Sequence, residues 1–212
     1  DLDEVIIIVD RMKENVLLEW DGTTLSNLTH GIGGVTNFYA KYGAVVNGRL
    51  ALANIRTDGI QLPHMIVFSE FENYQSFDTS KRSGDSTFTT GNEAFYILTP
   101  DLKAINMLIE FKRSVVISTV DGLLFELVGD DSTNYRWERF YAGSAAVGDD
   151  SFVNAGDDVL YIRQGGAIES LRGTVTFGDV GTDDRSLPVR QIMKNSTGAR
   201  IVYDQTNQKI FF

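Results

Sequence analysis

Apolar residues in this chain come in short bursts, and polar turn residues separate them at regular intervals. The runs Val5–Val9, Val16–Trp20, Gly43–Asn47, Arg49–Ala53, Met65–Ser69, Ala94–Thr99, Ile105–Phe111, Ser114–Thr119, Leu123–Val128, Val159–Ile162, Gly173–Phe177, Ile201–Tyr203 and Lys209–Phe212 are rich in Val, Ile, Phe, Tyr and Thr. Such runs, bounded by Gly, Asp and Asn, predict β-strands. The pairs Asp21-Gly22, Asn47-Gly48, Asp58-Gly59 and Asp121-Gly122 predict tight turns, because both positions tolerate positive φ. Helical periodicity is scarce. Leu187–Lys194 predicts one short helix capped by Ser186, and Asp101–Met107 predicts either a helical turn or the lead-in to a strand.

The bursts form a loose repeat of turn, strand, turn, strand. Its copies start near residues 13, 47, 112, 157 and 207. A unit of about 40–50 residues is the spacing of four-stranded propeller blades, which cover one another's faces. The chain is therefore expected to be all-β, a β-propeller or part of one built of antiparallel four-stranded blades. The competing architecture is a β-sandwich. One all-β domain is expected over residues 1–212, with residues 76–91 as a long exposed loop. The start at Asp1-Leu2-Asp3 and the finish on Ile210-Phe211-Phe212 suggest a piece of a longer chain.

One stretch breaks the pattern. Residues 65–80, MIVFSEFENYQSFDTS, begin as a strand and then keep Phe68, Phe71, Tyr74 and Phe77 at a spacing of three. That spacing fits one helix face, but Asn73 and the acids around it make a poor helix. A strand followed by a turn that folds its rings back onto the sheet fits better. Those rings then serve either as satellite core packing or as a contact patch, since Tyr and Phe are enriched where proteins dock.

Composition narrows the function classes. Hydrophobic residues make up 42% of the 212, enough to bury a core, and the net charge is -10. An acidic surface disfavours gripping nucleic acid. The absence of cysteine removes disulfide, thiol and cysteine-metal chemistry. No apolar run reaches the roughly 20 residues a membrane helix needs, so no membrane insertion is expected.

Catalytic chemistry is hard to read in this sequence. His30, in the Gly-rich loop 29–34, and His64, after Pro63, have no nucleophile or acid at an informative distance. Gly31-Ile32-Gly33-Gly34 lacks the following helix of a dinucleotide loop. The acidic doublets Asp130-Asp131, Asp149-Asp150, Asp157-Asp158 and Asp183-Asp184 could offer calcium oxygens, but they lack the spaced pattern of a calcium loop and read as turns. Asn27-Leu28-Thr29 and Asn195-Ser196-Thr197 match the glycan-acceptor pattern by chance. The chain is expected to be neither an enzyme nor a cofactor or metal binder.

A longer-range order then emerges. NGRLALAN (47–54) precedes a strand ending in Ser69, then FENYQSFD (71–78) and a polar loop. LKAINMLIEFKRSVVISTVDGLLFELVG (102–129), YAGSAAVGDDSFVNAGDDVLYIRQGGAIESLRG (141–173) and DDRSLPVRQIM (183–193) follow. This order resembles the β-propeller region of tail tube nozzle or hub proteins of short-tailed bacteriophages, tail stabilisation proteins included. Ser69, Asn73, Tyr74 and Phe77 match that family's Ser-x-x-x-Asn-Tyr-x-x-Phe segment. Lys112–Val128 matches a later strand pair. Gly143, Val159–Ile162, Gly165-Gly166 and Ile168–Leu171 match a Gly-rich passage into two strands. The similarity spans residues 43–193. The family's longer tail-forming flanks are missing, and the Gly–Asp-rich loops depart from its pattern.

The resemblance implies a structural virion protein of the phage tail, made in the host cytoplasm. Such subunits form a ring, sixfold as a rule, below the portal and its adaptor. They surround the channel through which DNA leaves and join distal tail proteins. An acidic wall suits that passage, because a basic wall would hold phosphates. Tyr74, Phe77, Lys81 and Arg82 are the candidate partner-contact residues, with Tyr74 and Phe77 expected chiefly to anchor the loop. The alternative reading is a β-propeller that binds carbohydrate or a receptor through Trp20, Tyr74 or Trp137. A hydrolase on a β scaffold is the third.

Overall fold

The computed structural model describes residues 6–10, 15–81, 83–86, 88–142, 146, 148, 151–156, 158–163, 166–171, 200–204, 206–207 and 209–211. The protein is all-β, with antiparallel sheets of two to four strands. Every sheet is a meander: strands neighbouring in sequence neighbour in space. The single domain expected from the sequence corresponds to two compact units. The first holds residues 1–105 and 129–135, and the second residues 106–128 and 136–212. The predicted strand Gly173–Phe177 and helix Leu187–Lys194 lie outside the described residues.

In the first unit, β1 (Ile6–Ile8), β2 (Leu18–Trp20) and β3 (Leu25–Asn27) form a three-stranded sheet. β4 (Phe38–Val46), β5 (Arg49–Thr57), β6 (Ile60–Phe68) and β7 (Phe95–Leu98) form a four-stranded one. The hairpins joining β4 to β5 and β5 to β6 turn on Asn47-Gly48 (φ 46 and 71) and Asp58-Gly59 (φ 42 and 89). Both central residues lie in the left-handed region, which matches the twist of the flanking strands. Residues 49–55 of β5 are all buried, as befits a central strand covered on both faces. The register with β6 shifts between Ala53 and Ile55. There Asn54 adopts φ 57 and donates its side-chain amide to the Ile105 carbonyl at 2.8 Å. The extra residues opposite it include Pro63, which has no amide to offer a ladder.

The core of this unit joins the two sheets. Leu17 and Leu28 flank the small sheet and pack with Phe38, Ala40, Leu50, Leu52, Ile55, Val67 and Phe77. At about 25 cal/mol per Å² of apolar surface removed from water, this burial is the main favourable contribution to the fold. The small sheet leaves Ile6, Ile8 and Leu25 exposed.

The second unit takes most of the sheet made by β8 (Ile105–Phe111), β9 (Ser114–Thr119), β10 (Leu123–Val128) and β11 (Arg136–Ala142). It also holds the sheet of β12 (Phe152–Asn154), β13 (Val159–Ile162) and β14 (Ile168–Ser170), and the hairpin β15 (Val202–Asp204) with β16 (Lys209–Phe211). A three-residue turn at Pro100–Leu102 precedes β8, with Asp101 and Leu102 at φ 59 and 52 rather than helical values, so of the two readings of 101–107 the strand lead-in is the one observed. β13 is fully buried and divides its side chains between two cores. Val159 and Tyr161 pack with Met107, Phe111, Val116, Leu124 and Leu171. Leu160 and Ile162 pack with Ile168 and Ile201, with Ile210 at the margin. The period-2 alternation of a strand thereby covers both faces of one sheet with its neighbours.

Candidate functional site

The segment between β6 and β7, residues 69–94, is the longest connection between strands lying wholly within the described part of the first unit, apart from two residues, 82 and 87, left undescribed. Its anchor is Arg49, 1% exposed. Arg49 Nη1 donates to the carbonyls of Ser69 at 2.6 Å and Glu93 at 2.9 Å, with a longer contact to Asn92 at 3.3 Å. Nη2 donates to the Gly91 carbonyl. The guanidinium also sits over the Phe95 ring at 5.3 Å and the Phe71 ring at 6.0 Å. One planar fork thus ties the start of the segment to its end, a geometry an ammonium cannot copy. Burial pushes the Arg49 pKa below its ordinary value, against the upward pull of Tyr135, Glu93, Asp131 and Glu70.

Backbone bonds close the neck as well. The Phe71 amide donates to the Asn92 carbonyl at 2.9 Å, and the Glu72 amide to Gly48 at 2.8 Å. Gly48 has to be glycine for two reasons. Its φ is 71, and a Cβ there would lie 2.7 Å from the Phe71 ring.

The four rings spaced by three point to different places. Phe68 is fully buried and stacks on Phe95 at 4.7 Å, with Tyr135 against both at 5.0 and 5.2 Å. Phe71 is 39% exposed at the neck. Tyr74 is half-buried against the main core. Phe77 is 1% exposed; its ring meets Phe38 at 5.5 Å, and its amide donates to the His30 carbonyl at 2.8 Å. Phe77 is therefore corrected from a candidate contact to a core anchor: a ring sealed by Phe38 offers no surface. The exposed loop also begins later than residue 76, since Ser76 and Phe77 are both buried. Lys81 pairs with Glu70, both partly buried. Arg82 lies outside the described residues.

The remaining candidates have structural settings. His30 Nδ1 accepts from the Ile32 amide at 3.2 Å, and its ring lies 5.4 Å from Phe38. Burial lowers its pKa, opposed by Asp58. The His64 carbonyl accepts from the Thr99 amide at 2.9 Å. Asp131 is held below its ordinary pKa by the Thr133 hydroxyl and amide, which donate to it at 2.6 and 2.7 Å, so this doublet is a turn. Asp158 accepts from Ser170 at 2.6 Å, whereas Asp149, Asp150, Asp157, Asp183, Asp184 and Asn195 lie outside the described residues. Among the described residues no group of three or more metal-ligating side chains comes together. Trp20 is half-buried in β2, and Trp137 lies edge-on to Phe125 at 5.8 Å.

Two shallow cavities open on the segment, of about 140 Å³ and about 320 Å³, and share Lys81, Phe88 and Glu93. Glu93 accepts from the Ser132 hydroxyl at 2.7 Å. Burial pushes its carboxyl up, but Ser132, nearby amides and Arg49 outweigh it and hold the pKa below the ordinary value. Arg49, Phe88, Glu93, Tyr96 and Ser132 were not singled out from the sequence. Their one available signal was Arg49 itself, a charge at the head of the apolar run 50–53.

Fold and segment together define an all-β protein of serial meanders carrying one pinned surface loop. No protein-family model and no curated protein sequence matches the chain. Among the described residues no helix is long and apolar enough to cross a membrane.

Proposed function

We propose that this chain is a structural module of a bacteriophage tail, a propeller-like subunit of the ring around the DNA exit channel. The observation that carries the reading is β13, whose alternate residues enter two cores. A sheet covered on both faces by the next sheets in sequence is how stacked blades bury their surfaces. The four-stranded meanders β4–β7 and β8–β11 have the topology of such blades. The sequence resemblance to tail nozzle proteins supplies the tail and virion context, the ring and its portal, adaptor and distal tail partners. The net charge of -10 suits a wall past which DNA slides without being held.

Exposed apolar positions support assembly with further copies. Val202 and Phe211 are paired across the hairpin at 57% and 54% exposure. Imaging the purified chain by electron microscopy, with its mass measured in solution, tests the reading. Closed rings of one subunit number are expected. A monomer at every concentration, or a ring with a basic inner wall, would overturn it.

A further inference from the structure

The larger cavity runs beside β7, the outer strand of its sheet, and all its described lining residues belong to the first unit. Its walls carry the rings of Phe88 and Tyr96, and Tyr96 is 54% exposed. Ser132, Thr133, Lys81 and Glu93 line the cavity as well. Ser132 donates its proton to Glu93, and Thr133 donates its proton to Asp131 at 2.6 Å. Their oxygen lone pairs remain able to accept.

The chemistry of this wall excludes most small ligands. A phosphate would meet Lys81 already paired with Glu70, with Glu93 and Asp131 close by. A metal ion lacks a group of three ligands among the described residues. An amine would need Glu93, but one oxygen of that carboxylate serves Ser132 and the other is sealed from solvent. A purely apolar ligand would cover the remaining lone pairs of the Ser132 and Thr133 hydroxyls without giving them a donor. What remains is a small neutral molecule with an apolar face for a ring and hydroxyls around its edge. A volume of about 320 Å³ is at the small end for ligand sites.

We infer that the groove beside β7 is a subsite for one neutral sugar ring, stacked on Tyr96 and hydrogen-bonded to Ser132 and Thr133. The site is independent of ring assembly, so either reading can fail alone. It also differs from the sugar platform suggested by the sequence, since Trp20, Tyr74 and Trp137 are not among its lining residues.

Saturation-transfer NMR on the whole chain tests it, with the methyl glycosides of glucose, galactose, mannose and N-acetylglucosamine as probes. Inorganic phosphate and tetramethylammonium serve as charged controls. At least one glycoside is expected to bind with a dissociation constant of about 1–10 mM and to shift the Ser132 and Thr133 amides. Y96A should weaken binding about two- to tenfold, and Y96F should restore it. Absence of transfer from every glycoside, unchanged binding by Y96A, or displacement by phosphate or tetramethylammonium would overturn the assignment. The amide shifts in the unaltered chain keep the test decisive should Y96A misfold.

Discussion

Arg49 reaches the Ser69 carbonyl at 2.6 Å across 20 residues of sequence, and the same guanidinium holds the carbonyls of Gly91, Asn92 and Glu93. A charge so buried is tolerable because its Nη donors meet carbonyl oxygens and its plane meets aromatic rings, with Nε alone lacking a hydrogen-bond partner. Arg49→Met is expected to destabilise the first unit by about 3 kcal/mol, since it leaves several inward-facing carbonyls without a donor. Arg49→Lys should recover only part. Urea denaturation measures the loss, and trypsin should cut faster at Lys81 in both variants.

Phe77 and Lys81 lie four residues apart and should behave oppositely. Phe77→Ala empties a site in the main core and is expected to cost about 3–5 kcal/mol. Lys81→Ala breaks a partly solvated pair and should cost at most about 1 kcal/mol. Thermal melts of both variants check the contrast. Equal effects would remove Phe77 from the core.

His30 gives the first unit a pH dependence. Its lowered pKa and its Nδ1 acceptor role toward Ile32 both require the neutral ring. The unfolded chain therefore binds the proton more readily. Stability from this residue is complete above the ordinary value of 6.5 and is lost as pH falls through the folded value below it. Denaturant midpoints measured from pH 8 to pH 5 should decline, and His30→Phe should flatten its share of the decline. NMR titration of the imidazole should place its midpoint under 6.5.

Two glycines separate backbone strain from crowding. A Cβ on Gly129 would lie 2.6 Å from the Tyr135 Cα, whereas a Cβ on Gly59 would meet nothing within 4 Å. Gly59→Ala should cost about 1 kcal/mol, from its left-handed φ alone. Gly129→Ala should cost about 3 kcal/mol, because backbone atoms have to move. Chemical denaturation of the pair measures the difference.

The strands most legible in the sequence are those covered by other sheets. Ile105–Phe111, Ser114–Thr119, Leu123–Val128 and Val159–Ile162 are near-continuous apolar runs, and they match β8, β9, β10 and β13. The missed strands lack that signal. Arg136–Ala142 carries Arg136, Glu138 and Arg139 on the edge of its sheet, where charge discourages stray pairing. Leu25–Asn27 is wholly exposed. The Asn-Gly and Asp-Gly hairpins were readable because their chemistry is local. The groove beside β7 was not, because Ser132 reaches Glu93 across 39 residues of sequence. Phe77 was half legible: its anchoring role could be expected from the sequence, but the ring it packs on, Phe38, could not.

Because Arg49 ties the neck of the 69–94 segment, Ser69 and Gly91–Glu93 are held to each other by bonds that do not depend on the length of chain between them. Lengthening a closed loop is cheap, about 0.6 kcal/mol for each doubling. Among the described residues, Gly84 in this segment, where an added Cβ meets nothing within 4 Å, is consequently a place to insert an epitope tag or a new recognition segment while the strands that carry it stay as they are.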